Sequence, residues 1–178
     1  MGVLSAKTNL RAAFALFAGF TLSACMDVPD DTGGLKTMSQ GSMFVTQKNY
    51  TAARSLSAVN ASLQAGAEKC FQRVSSQTIY SGNGYGGYGP AGHFSTKYTY
   101  TYKNTSTGGQ LALHGVMSDK SWNVINVDKN GGYMFMVETS RGSGATNLKF
   151  YTPKFGAKDL NEKVVGWAGG DHLLCPVL

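Results

Sequence analysis

The sequence predicts an α+β domain in which an antiparallel sheet of about six strands packs on a long N-terminal helix and a C-terminal helix. Two observations support this fold class. In one segment before the middle of the chain and another near its C-terminus, apolar residues recur every three or four positions, which is typical of one face of a helix. In the long segment between them, apolar and polar residues alternate, as they do in strands with one buried face.

The first helix is predicted to begin near Asn49 and to end at Cys70. Asn49 and Thr46 are the candidate N-caps, because short polar side chains accept hydrogen bonds from the first free N–H groups of a helix. A short apolar run at Met43–Val45 precedes the helix and is a candidate strand. The apolar positions that predict the helix are Ala53, Leu56, Val59, Leu63 and Ala67.

The clearest strand is predicted at Phe94–Lys103, where aromatic residues occupy every second position from Tyr98 to Tyr102. The turn signal Asp128–Gly132 predicts a hairpin between the runs on either side of it. Pro153 ends the last strand, because proline cannot donate to a sheet ladder. The predicted strands cover residues 74–80, 94–103, 110–117, 122–127, 133–139 and 147–152.

The C-terminal helix is predicted over Ala157–Ala168, with Leu160, Val164 and Trp167 on one face and a glycine pair after it. The resulting order is short strand, long helix, about six strands and C-terminal helix. This order resembles the helix-grip arrangement of START-like domains, which implies a curved sheet wrapped around the C-terminal helix. Similar small helix-grip domains occur in lipoproteins of the outer-membrane β-barrel assembly machinery.

The N-terminal residues 1–24 predict a secretory signal peptide. Lys7 and Arg11 precede the charge-free apolar run Ala12–Thr21, which is too short to span a bilayer as a helix. Small residues then lead directly into Cys25, and the sequence LSAC at residues 22–25 resembles the lipobox of bacterial lipoproteins. The resemblance implies cleavage before Cys25, a diacylglycerol on its sulfur and an acyl chain such as palmitate on its nitrogen.

The chain is thereby divided into a signal peptide at 1–24, a lipidated cysteine with a flexible tether at 25–41, and one periplasm-facing α+β domain at 42–178. Residues 26–41 are polar, contain glycine and proline, and lack periodicity, which favours a tether. Met26 follows the lipidated cysteine, whereas aspartate at that position is the familiar signal for inner-membrane retention. The expected location is therefore the outer membrane, facing the periplasm, rather than the inner membrane or the cell surface.

A disulfide is predicted between Cys70 and Cys175. With Cys25 lipidated, these are the two remaining cysteines of the chain. A pair of cysteines in an oxidising compartment most simply forms a disulfide bond. The bridge would tie the apolar C-terminal segment to the end of the first helix.

No catalytic residue, metal site or cofactor is predicted. The formal net charge is +6, but the lysines are scattered singly rather than clustered, which disfavours nucleic-acid binding. The three histidines are spread along the chain and none begins a metal-binding motif. A G-x-G-x-x-G match at Gly82–Gly87 lies in a glycine-rich run that cannot continue as a helix, so it does not predict a dinucleotide site.

Two pairs of residues are candidates for contact with a partner protein. Tyr85 and Tyr88 lie in a glycine-rich, uncharged segment, which is either a mobile connection or an adaptable contact loop. Met134 and Met136 would form an apolar patch if their face of the sheet were exposed. Ser81-Gly82 followed by Tyr85 also resembles the short inhibitory motif of C-type periplasmic lysozyme inhibitors.

A further aromatic set has two interpretations. These residues either form the core between sheet and helix or line an apolar cavity for a small hydrophobic ligand. The expected function is a non-catalytic binding or assembly-accessory role for a membrane-anchored envelope lipoprotein. The alternatives are a carrier of a hydrophobic ligand and an inhibitor of a periplasmic hydrolase such as lysozyme. The residues of the candidate cavity are Tyr98, Tyr100, Tyr102, Phe135 and Trp167.

Overall fold

A computed structural model describes residues 28–41, 43–82, 88–105, 107–117, 130–171 and 174–178, with the backbone alone over 77–82 and 88–94. Three helices and six strands lie within these residues. In chain order the elements are α1 (Thr32–Gly41), β1 (Val45–Ala52), α2 (Leu56–Cys70), β2 (Arg73–Gly82), β3 (Tyr88–Thr105), β4 (Gly108–Met117), β5 (Gly132–Arg141), β6 (Thr146–Pro153) and α3 (Lys158–Gly169).

The six strands form one antiparallel sheet in the order β1-β6-β5-β4-β3-β2. Strands β2 to β6 follow one another as neighbours, and α2 carries the chain from β1 at one edge to β2 at the other. Helices α2 and α3 cover one face of the sheet, here called the inner face, and α1 covers part of the outer face. The predicted α+β fold class, with an antiparallel sheet packed on helices, is confirmed.

The start of the first long helix differs from the prediction. Residues 45–52 pair with β6 from Val45↔Pro153 to Ala52↔Thr146, so Asn49 lies in a strand. The helix begins at Leu56, and its N-cap is Ser55, whose Oγ accepts a hydrogen bond from the Ala58 N–H at 3.3 Å. The predicted helix start and both predicted caps were therefore wrong, because pairing with a distant strand satisfies the backbone of 45–52.

The prediction of a flexible tether over 25–41 is wrong for its second half. Residues Thr32–Gly41 form α1, and the N–H of Gly34 donates to Asp31 Oδ1 at 2.5 Å at the start of this helix. Leu35 is fully buried against Met136 and Tyr151 on the outer face. A single buried leucine produces no clear periodicity, which is why the sequence does not reveal this helix.

The main core lies between the inner face and helices α2 and α3. Trp167 of α3 is fully buried, packs against Phe71 with ring centroids 5.4 Å apart, and donates its indole N–H to Leu174 O at 3.0 Å. Phe135 and Phe150 meet edge-to-face at 5.6 Å beneath it. Helix α3 ends at Gly170, whose φ of +91° glycine adopts without strain. The predicted C-terminal helix is confirmed to within one residue at each end.

The predicted disulfide joins Cys70 at the end of α2 to Cys175 in the C-terminal segment, with Cα atoms 5.2 Å apart and 105 residues between them in sequence. Hydrogen bonds from Ser75 Oγ to Leu178 O and from the Arg73 guanidinium to Pro176 O hold the same segment. The predicted strand at 122–127 and its hairpin lie outside the described residues, and β1 is the sixth strand of the sheet.

Candidate functional site

Of the residues that the sequence proposes for partner contact, the structure describes Met134 and Met136 in full and Tyr88 by its backbone. Cys25 and Tyr85 lie outside the described residues, and Tyr88 is the first residue of β3. Met136 is fully buried beneath α1, so it does not contribute to an exposed patch as hypothesised. Met134 is 37% exposed, because it is the extra residue where the β4–β5 register shifts.

The aromatic set of the candidate cavity belongs to the main core. Phe135 and Trp167 are fully buried, Tyr98 is nearly so, and Tyr100 and Tyr102 pack against them from its rim. These rings fill the space between the sheet and helices α2 and α3, where the ligand cavity was expected. Of the five, Tyr102 also reaches the wall of an open cleft at one end of the inner face.

This cleft is the candidate functional site and has a volume of about 760 Å³. Three elements position its walls. The start of α2 forms one side, the turn between β3 and β4 forms the second, and the turn between β5 and β6 forms the third. Because the strands are antiparallel, both turns lie at the same end of the sheet. The size is typical of a small-molecule or short-peptide site.

The charged side chains among the described residues that line the cleft are two arginines, Arg54 and Arg141. Arg141, at the end of β5, is exposed, and its guanidinium has no hydrogen bond or ion pair with any described residue. Arg54 donates to Ser62 Oγ at 3.1 Å and to Ala168 O at 3.2 Å, which holds its positive charge between α2 and the C-terminal end of α3. No aspartate or glutamate is among the described residues of the wall. Two positive charges without a carboxylate favour a ligand that carries negative charge.

A pair of polar side chains deepens the cleft next to β4. Thr139 Oγ1 donates to Asn60 Oδ1 at 2.7 Å, which leaves the Asn60 amide N–H groups for other acceptors. The Tyr102 hydroxyl is buried and has no hydrogen-bond partner among the described residues. Burial raises the pKa of Tyr102, so the phenol stays protonated near neutral pH. A Cβ at Gly109 would lie 2.8 Å from the Tyr102 hydroxyl and 3.0 Å from Asn60 Nδ2, so glycine is required for this approach.

Sequence reasoning did not find this cleft. Its residues come from the start of one helix and from two turns that are far apart along the chain. The available signals were the glycines at 108–109 and at 142 and 144, which indicate two turns. The strand order was needed to bring those turns to one end of the sheet.

A second hollow, of about 590 Å³, lies on the outer face and includes Glu138. Glu138 accepts hydrogen bonds from Tyr151 at 3.0 Å and from Gln110 at 3.4 Å, and it forms an ion pair with Lys36 of α1 at 2.5 Å. Burial alone would raise the pKa of Glu138, but the hydrogen bonds from Lys36 and Tyr151 and the Lys36 charge outweigh it and lower the pKa. Burial and the neighbouring carboxylate raise the pKa of Tyr151 to about 12. This carboxylate therefore fastens α1 to the sheet.

Within the described part of the chain, no three histidine, cysteine, aspartate or glutamate residues are grouped so that they could hold a metal ion. None of the helices in the same residues is both long enough and apolar enough to cross a membrane. Comparison with known proteins found no matching protein-family model, no matching curated protein and no matching solved structure.

Proposed function

We propose that the protein is a lipid-anchored lipoprotein of the cell envelope, facing the periplasm from the outer membrane, with a non-catalytic binding role. The cleft at the start of α2 is the binding site, and its ligand is a polar molecule or partner group that carries a carboxylate or phosphate. The signal peptide and the LSAC motif at residues 22–25 support the anchor, and Met26 supports the outer membrane. The observation that carries the proposal is the placement of the cleft relative to the N-terminal segment.

The N-terminal segment and the cleft lie at opposite ends of the sheet. The N–H of Tyr133 donates to Pro29 O at 2.8 Å, so the first described residues pack beside the start of β5. Arg141 lies at the other end of β5, nine residues after Gly132, which corresponds to roughly 30 Å at the rise of an extended strand. Cys25 precedes Val28 by three residues and can therefore lie at most about 11 Å from it. A domain anchored through Cys25 would present the cleft away from the membrane.

The chemistry of the cleft supports binding rather than catalysis. Its described side chains offer guanidinium, amide and hydroxyl groups. The wall contains serine, threonine and tyrosine hydroxyls, but no histidine, cysteine or carboxylate that could activate a hydroxyl as a nucleophile is among its described residues. Guanidinium groups such as that of Arg141 bind carboxylates and phosphates through paired hydrogen bonds.

The two alternative functions receive less support. A carrier of a hydrophobic ligand would need free space behind the aromatic face, where Phe135 and Trp167 are packed with full burial. The lysozyme-inhibitor alternative depends on the segment that contains Tyr85, and residues 83–87 lie outside the described part of the chain.

The anchor is tested by replacing Cys25 with serine. This variant lacks the sulfur that would carry the diacylglycerol, so we expect it to move from the membrane fraction to the soluble fraction and to lose radiolabelled palmitate. Ser23→Ala is the matched control, because it keeps a small residue before the cysteine and should leave both properties unchanged. Retention of Cys25→Ser in the membrane fraction after a salt wash would contradict the lipid anchor.

The cleft is tested by titrating glucuronate, glucose and inorganic phosphate into detergent-solubilised lipoprotein and following backbone amide signals by NMR. Glucuronate and phosphate should shift the signals of Ser57 and Arg141, whereas glucose, which lacks the negative charge, should not. Arg141→Gln should weaken glucuronate binding about tenfold, since one charge-assisted hydrogen-bonded contact is lost. Lys97→Gln removes the same charge from an exposed position near the other end of the sheet and should change nothing. Equal effects of the two substitutions would refute a site in the cleft.

A further inference from the structure

Exposed apolar side chains gather at the end of the sheet where the described chain begins. Single exposed apolar side chains are common on protein surfaces, but clusters of them are unusual and mark contact sites. Six large apolar side chains are exposed among the described residues, and five of them lie toward this end. Val74 of β2 is one of the five, and the other four lie on β5, where β1 and β6 meet, and on the C-terminal segment. The four are Met43, 69% exposed, Met134, 37% exposed, Phe155, 75% exposed, and Val177, 84% exposed. They are called the apolar rim below.

Strand register brings Met43 and Phe155 together. Val45 pairs with Pro153, and the N–H of Lys154 donates to Phe44 O at 2.8 Å, so the pairing continues past the strand ends and sets Met43 opposite Phe155. Met134 lies at the same end on β5, where its sulfur packs over Gly115 of β4, close to Thr96 and Tyr98.

The fourth residue reaches the rim from the C-terminal segment. The N–H of Val177 donates to Asp159 Oδ2 at 2.7 Å. Asp159 lies in the first turn of α3, shortly after Phe155. The disulfide at Cys175 and the hydrogen bonds of the last residues hold this segment in place, so Val177 is exposed on an ordered part of the chain.

The N-terminal segment leaves the domain at the same rim. Pro29 accepts a hydrogen bond from Tyr133, which follows Gly132 and precedes Met134. A Cβ on Gly132 would collide with the Val28 side chain, so the segment lies directly against the start of β5. The proposed lipid attachment at Cys25 is three residues away, within about 11 Å. Only residues 26 and 27 lie between the proposed lipidated cysteine and the first described residue, so the rim is close to the proposed anchor.

We propose that the apolar rim inserts shallowly into the membrane beside the lipid on Cys25 and fixes the orientation of the domain. This inference depends on the proposed lipid anchor. Acyl chains tether a protein to a bilayer, and apolar side chains held close to the acyl chains can enter the same interface. The rim supplies an apolar contact, and the exposed Lys154, which precedes Phe155, supplies a positive charge at headgroup level.

The described part of the N-terminal segment is fastened to the sheet. Helix α1 is fastened to the outer face by burial of Leu35 and by the ion pair between Lys36 and Glu138. The rim therefore moves with the sheet as one body. With the rim in the membrane, β5 points away from the bilayer and Arg141 lies at its far end.

The experiment measures the depth of single positions in vesicles of phosphatidylcholine and phosphatidylglycerol that contain the full-length lipidated protein. An environment-sensitive fluorophore is attached at Phe155→Cys, at Met43→Cys and, as the matched control, at Ser143→Cys, an exposed position in the turn between β5 and β6. The first two labels should shift to shorter emission wavelength and be quenched by brominated lipids. The label at position 143 should be quenched by iodide in water and not by the lipids.

Three outcomes would overturn the inference. If iodide quenches the labels at positions 155 and 43 as strongly as the label at position 143, the rim is exposed to water and does not insert into the membrane. Labels shielded from iodide but not quenched by brominated lipids would show that a second copy of the protein covers the rim. Equal lipid quenching at all three positions would show a domain that lies flat. Each of these results leaves the anchor intact, because fractionation of Cys25→Ser tests the anchor separately.

Discussion

Replacing Cys70 and Cys175 together with alanine is expected to lower the free energy of unfolding by about 4–5 kcal/mol. The disulfide closes a loop that spans 105 residues, and a cross-link over so long a loop removes much conformational freedom from the unfolded chain. Cys70 is 2% exposed, so its replacement also removes buried contacts at the end of α2. The loss is measured by urea denaturation of the purified domain in detergent.

Two controls separate the bond from the side chains. Dithiothreitol should lower the stability of the unmodified protein by a similar amount and should leave the double-alanine variant unchanged. Cys25 does not interfere, because its thiol is blocked in the proposed lipidated form. If reduction changes the urea midpoint by less than the equivalent of about 1 kcal/mol, the disulfide does not constrain the unfolded chain as the loop length implies.

Gly66→Ala is expected to destabilise the protein by about 1–3 kcal/mol, although alanine favours a helix over glycine by about 1 kcal/mol. A Cβ at Gly66 would lie 2.5 Å from Cε3 of Trp167, a distance that real contacts essentially never show. The tryptophan cannot yield, because it is fully buried, packs against Phe71 and donates to Leu174 O. Either α3 must shift away from α2 or the ring must leave its hydrogen bond.

The matched control is Gly166→Ala, also inside a helix. A Cβ there would meet Asp171 Oδ2 at 3.4 Å, an ordinary contact, so this variant should gain up to about 1 kcal/mol from helix propensity alone. Trp167→Ala should cost about 3–5 kcal/mol through loss of buried area and the cavity left behind. Combined with Gly66→Ala, the cost should be less than the sum, because the colliding ring is gone. Thermal and urea unfolding measure all four variants, and a fully stable Gly66→Ala would refute the close packing of α2 on α3.

The sequence predicted correctly those elements whose pattern of apolar and polar residues lies within the element itself. The helix that carries Leu160, Val164 and Trp167 was predicted to within one residue at each end, because these positions fall on one helical face. The aromatic alternation in β3 was also visible, since side chains of a strand alternate between its two faces. The disulfide followed from the number of cysteines and the predicted compartment.

Other elements depend on partners that are distant in sequence. Residues 45–52 became a strand because β6 satisfies their backbone, and α1 is held by Leu35 in a pocket on the sheet and by Glu138. Met136 was proposed for partner contact, but in the structure α1 covers its side chain. Sequence patterns report burial on one face of an element but not which neighbour lies over that face.

The sequence by itself determined the fold class, the cysteine pair and the predicted anchor at Cys25. Only the tertiary structure decided where the residues of the proposed binding site come together. Arg141 and Tyr102 lie at the same end of the sheet because the strands are antiparallel and their turns alternate between its two ends. The same topology sends the N-terminal segment and the apolar rim to the opposite end. The relative placement of two ends is a property of strand order, which no local pattern of residues contains.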